Sequence, residues 1–166
     1  MKLKLVYIVH LIILIIVGYV YYLAIDKFIN FLKLGGFDGY DYYGTVYLIL
    51  RAKLLFAVML VTFPLIGVFS KNKYGWIFIS FYFYFTILNV IFEFCREGFD
   101  DLESVLLRIL FISILGVLEI IMNTKKISFF YYKIEKNKLL ELNIISFTIG
   151  TCTSLFFSFL NFPEYL

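Results

Sequence analysis

Apolar residues fall in five blocks separated by short connections richer in charge or glycine: Leu5 to Ile25, Leu54 to Ser70, Gly75 to Phe94, Val105 to Met122 and Ile144 to Phe162. A helix rises about 1.5 Å per residue and the hydrocarbon layer of a bilayer is about 30 Å thick, so roughly 20 apolar residues cross it. The pattern predicts an all-α fold, a polytopic membrane helix bundle of about five transmembrane helices, with residues 1–166 forming one integral membrane domain. The second block is the shortest. If it were re-entrant, the helices after it would invert. The first block follows Lys2 and Lys4, as in a signal peptide, yet its length exceeds the roughly 7 to 15 residues of a signal core, so an uncleaved signal anchor is expected.

Composition agrees. The chain is 63% hydrophobic and 22% aromatic with only 16% charged residues, against about 25% charged in soluble domains, and this excess excludes a soluble globular protein. Two cysteines are too few for a disulfide scaffold, and a net charge of +3 is too small for a phosphate footprint, so no nucleic-acid partner is expected.

Lysine and arginine set the orientation, because cytoplasmic connections of membrane proteins carry them in excess. Lys2, Lys4, Lys71, Lys73, Lys125, Lys126, Lys133, Lys136 and Lys138 lie in one set of alternate connections. Lys27, Lys33, Arg51, Lys53, Arg96 and Arg108 lie in the other. The nine against six predict a cytoplasmic N-terminus. The stretch DKFINFLKL from Asp26 reads as an interfacial helix that precedes a loop through Gly35, Gly36, Gly39 and Gly44. Residues 127–143 mix aromatics with lysines, a composition suited to a membrane surface that carries anionic lipid.

Two polar patterns interrupt the apolar helices. In the fifth, Ser146, Gly150, Ser154 and Ser158 recur every four residues, with Asn161 near the same face. Small residues at that spacing let backbones approach closely, which points either to packing within the chain or to a seam with a second copy or another membrane protein. In the third helix Tyr82, Thr86, Asn89 and Glu93 share one face, which Glu97 and Asp100 continue. An ionised group at the bilayer centre costs about 2.5 to 3.5 kcal/mol on insertion scales, so that face is expected to look into the bundle, with Glu93 or Glu97 pairing Arg108 of the fourth helix. Glu119, about 16 Å from Arg108 along the axis, falls at the depth of His10, the only histidine, which leaves two arrangements open: a His10 to Glu119 contact, or snorkelling of Glu119 toward Lys125, Lys126 or Lys71. His10, Tyr82, Asn89, Glu93, Arg108 and Glu119 are thus the candidate intramembrane polar cluster. Pro64 removes one backbone donor from the second helix and is expected to kink it.

Catalytic patterns are missing. The chain has no GxSxG, HExxH, CxxC or glycine-rich phosphate loop, and Asp38 with Asp41 fall short of a calcium cage, so no enzyme, cofactor or metal is expected. Lysine outnumbers arginine twelve to three, and Phe, Ile, Asn and Tyr are abundant, which points to an AT-rich gene. Small polytopic products of such bacterial genes often belong to mobile islands. The expectation is therefore a non-enzymatic protein of the bacterial cytoplasmic (inner) membrane, acting through helix contacts in an accessory conflict system such as phage defence, toxin immunity or entry exclusion. The alternative is a small solute or ion transporter, or a channel subunit, with a polar path along the third and fourth helices.

Overall fold

The computed structural model describes residues 2–33, 54–97 and 102–160, and among these every regular element is a helix. Its elements are α1 (Lys2–Lys33), α2 (Leu54–Phe69), α3 (Lys73–Glu97), α4 (Leu102–Met122) and α5 (Leu139–Leu160), the last preceded by a single 3-10 turn at Lys136–Lys138. Four helices, α1, α3, α4 and α5, are long and apolar enough to cross a membrane. The chain is a helical membrane bundle. At 16 residues, α2 spans about 24 Å, short of the hydrocarbon thickness.

One expected boundary moves. The stretch from Asp26 to Lys33 is not a separate interfacial helix but the continuation of α1, which runs unbroken for 32 residues. No glycine or proline separates Ile25 from Lys33, and Asn30 Nδ2 donates to Asp26 Oδ2 at 3.1 Å across one turn. The glycines that follow, with Asp38, Asp41, Arg51, Lys53, Asp100 and Asn161, lie outside the described residues.

Helix α3 is the centre of the bundle, packing most extensively on α5 and also on α2 and α4, while α1 packs on α2. The α2–α3 hairpin is tight. Asn72 Oδ1 accepts from the backbone N–H groups of Tyr74 (3.0 Å) and Gly75 (3.1 Å), an N-cap that starts α3 two residues before the apolar block. A Cβ added to Gly67 would meet the Gly75 carbonyl at 2.6 Å, so glycine at this position is what allows the two backbones to touch.

Contacts between the helix ends establish their directions. His10 near the start of α1, Gly67 near the end of α2, Trp76 at the start of α3, Met122 at the end of α4 and Asn143 at the start of α5 meet one another or the 123–135 connection at one end of the bundle. Successive helices therefore alternate in direction. No inversion follows α2, despite its shortness. The same end carries exposed Lys4, Lys71, Lys73, Lys125, Lys126, Lys133, Lys136 and Lys138. Outward faces are apolar, as at Tyr19, Leu107, Ile120 and Ile144, which suits contact with lipid.

Candidate functional site

The polar side chains that the bundle does gather sit at its lysine-rich end, in two groups. The first is built by the 123–135 connection, which folds back onto the bundle. Ile127, Tyr132 and Ile134 are buried in the core there, and Tyr132 is fully enclosed. The Tyr132 hydroxyl is hydrogen-bonded to His10 Nε2 at 2.7 Å and donates to the Gly67 carbonyl at 3.4 Å. Tyr131 tilts over the His10 ring at 4.6 Å between centroids and donates to the Val68 carbonyl at 3.4 Å. Burial pushes both tyrosine hydroxyls above their ordinary titration range, so both stay neutral and act as hydrogen-bond donors. Beside them, buried Trp76 donates from Nε1 to the Met122 carbonyl at 3.2 Å, which satisfies an orphan acceptor at the end of α4.

The second group surrounds Glu119. Asn123 Nδ2 donates to Glu119 Oε1 at 3.0 Å, and Asn143 Nδ2 of α5 donates to Asn123 Oδ1 at 2.6 Å. Tyr84 of α3 donates to Asn143 Oδ1 at 2.9 Å. Side-chain hydrogen bonds thereby join α3, α4 and α5 at the lysine-rich end of the bundle. Ser80 and Tyr84 are the other polar neighbours of the carboxyl, yet Glu119 Oε2 and Ser80 Oγ are both buried without a hydrogen-bond partner among the described residues.

The expected intramembrane cluster is thus divided. His10 pairs with Tyr132 rather than with Glu119: the depth argument placed both at one end, but the returning connection fills the space beside His10. Asn89 donates to Glu93 at a long 3.5 Å, and Thr86 donates back to the Tyr82 carbonyl. At 100° per residue, the Tyr82, Asn89 and Glu93 face lies opposite the Ser80 and Tyr84 face that meets Glu119. Arg108 lies over the Phe94 ring at 5.4 Å from its centroid.

The small-residue stripe of α5 is occupied by α3 of the same chain. Ser146 and Ser154 are fully buried, and a Cβ on Gly150 would lie 3.0 Å from Phe85 N and Tyr84 Cβ and 3.2 Å from the Phe81 carbonyl. Ser158, the last member, is half-buried. This is packing within the chain, not a free seam. Sequence reasoning missed Ser80, Asn123, Tyr132 and Asn143. The two asparagines carried a usable signal, since each falls at the polar end of an apolar block where its amide can reach across to the next helix.

Among the described residues no three or more His, Cys, Asp or Glu side chains come together to hold a metal ion. Comparison with protein-family models, with curated proteins and with solved structures gives no match.

Proposed function

We propose that the chain is a non-enzymatic protein of a bacterial cytoplasmic membrane that acts through helix contacts within the bilayer, as an accessory component of phage defence, toxin immunity or entry exclusion. The observation that supports it is the open outer half of α4. All four buried residues of this helix, Leu115, Leu118, Glu119 and Met122, lie in its last two turns, while Leu106, Leu107, Ile109, Leu110 and Ile114 are exposed. A helix whose buried residues gather at one end, with exposed leucines and isoleucines along the other, offers an apolar ridge to another transmembrane helix, where packing rather than hydrophobicity drives association. Photo-crosslinkers placed at Leu110 and Ile114 should capture a protein in native membranes, and one at Leu115, which faces the core, should not. Absence of any crosslinked product from both outer positions would overturn this reading.

A transporter or channel is the second reading, supported by the buried Glu119 carboxyl with one oxygen unpartnered. Against it stand the two polar groups on opposite faces of α3 and the α5 stripe, where the backbones close together at Gly150. Solute or ion flux in liposomes containing only this protein would reverse the order of the two readings.

A further inference from the structure

The 123–135 connection is a compact, hydrogen-bonded loop with two sides. Ile127 and Ser128 donate to the Thr124 carbonyl (each at 2.9 Å), Tyr132 donates to the Ile127 carbonyl at 3.1 Å, and Ile134 returns to the Ser128 carbonyl at 3.0 Å. These bonds turn Ile127, Tyr132 and Ile134 inward. Lys125, Lys126, Phe129, Phe130 and Lys133 are left outward, with the two phenyl rings packed edge-on at 5.2 Å between centroids. Aromatic rings flanked by lysines match the boundary between acyl chains and headgroups, where rings lie among the chains and ammonium groups reach phosphates.

Lys133 adds a second observation. Among the described residues it is the only one other than glycine with a positive φ, at 57°. Left-handed backbone favours glycine or asparagine, and a long side chain there is strained. Strain of this kind persists where the surrounding structure enforces it, and it concentrates at functional positions. The loop keeps a lysine where glycine would be more comfortable, and among the described residues no ion pair of this lysine accounts for it. The nearest acidic residue in sequence, Glu135, is bridged instead by Lys138 at 3.5 Å.

We propose that this loop is a binding surface for anionic phospholipid, with Lys125, Lys126 and Lys133 holding the headgroup phosphate and Phe129 with Phe130 seated among the upper acyl chains. Charge complementarity favours a lipid occupant. The end of the bundle that bears the loop exposes eight lysines, and the two glutamates exposed beside them are Glu135 and Glu141. The proposal is independent of the function argued above, because it asks only that the bundle sit in a bilayer.

The test is competitive lipid retention, read by native mass spectrometry after release of the full chain from nanodiscs of mixed phosphatidylcholine and phosphatidylglycerol. The parent should retain phosphatidylglycerol preferentially. A lysine at an anionic membrane surface contributes about one factor of five, so Lys125→Gln with Lys133→Gln should reduce that preference on the order of thirtyfold. Lys27→Gln with Lys33→Gln removes the same charge from the opposite end and should leave it unchanged. Lys133→Gly should lose part of the preference while unfolding at a higher temperature than the parent in phosphatidylcholine alone. No preference in the parent, equal loss from the Lys27 and Lys33 pair, or full preference in Lys133→Gly would overturn the proposal.

Discussion

Asn123 and Asn143 exchange hydrogen bonds through their side-chain amides, one at 2.6 Å and its reciprocal at 3.4 Å, across the gap between α4 and α5. The pair links Glu119 to Tyr84 and so ties α4 to both of its neighbours. Interhelical polar contacts in membranes average about 0.6 kcal/mol and reach about 1.7 kcal/mol. The Asn123→Ala and Asn143→Ala double-mutant cycle should give a coupling energy in that range. Reversible unfolding in mixed micelles measures it, and strict additivity would show that the amides act separately.

Gly150→Leu should destabilise the monomer rather than dissociate an oligomer. The added side chain has to enter a space already closed by Tyr84, Phe85 and the Phe81 carbonyl, and overpacking of this kind costs about 1 to 3 kcal/mol. Phe156, which is exposed, should tolerate replacement by leucine with little effect. Unfolding midpoints and crosslinked-oligomer yields of the two variants, taken from the same membranes, separate these outcomes.

Alkaline pH should loosen the lysine-rich end. Burial raises the titration range of Tyr131 and Tyr132 above that of an unfolded tyrosine, which is near pH 10. The folded chain then binds more protons than the unfolded chain above about pH 10, and its stability falls there as pH rises. Below that range the contribution is complete and does not vary. Tyr132→Phe should weaken the alkaline decline, while lowering stability at neutral pH by about 1 kcal/mol through the lost bond to His10. Unfolding followed from neutral to alkaline pH tests both parts.

The lysine-rich end should face the cytoplasm. In a background with Cys95 and Cys152 replaced by serine, a cysteine at position 136 should resist an impermeant thiol reagent added to intact cells and react once the membrane is opened. Labelling from outside would place the loop on the opposite face and with it the whole alternating bundle.

The bundle was legible in the chain because a bilayer imposes length and apolarity on every helix, and both are local properties. The ends of α3 and α4 fell within three residues of expectation. The Tyr132 contact was not legible, since a polar connection that folds back beneath a bundle leaves no periodic trace, and its partner, His10, is 122 residues away. Glu119 was placed at the lysine-rich end from its depth in the fourth helix, but its partners were not legible, because the asparagines read only as boundaries. The Ser146, Gly150 and Ser154 spacing correctly announced a close approach. It could not say whose backbone would approach, and α3 is the answer. Gly67 and Gly75 gave no spacing pattern at all, since each lies in a different helix.

The bond between His10 and Tyr132 also orders events in time. A chain emerging from its N-terminus releases α1 and α2 long before residue 132 exists, so His10 and the Gly67 carbonyl enter the membrane without the hydroxyl that later caps them. Their closure waits until α4 is inserted and the connection after it turns back. Contacts this distant in sequence are slow to form. The loop after α4 is therefore the latch of assembly, and a chain released after Met122 would hold four helices in which His10 and the Gly67 carbonyl still lacked the Tyr132 hydroxyl.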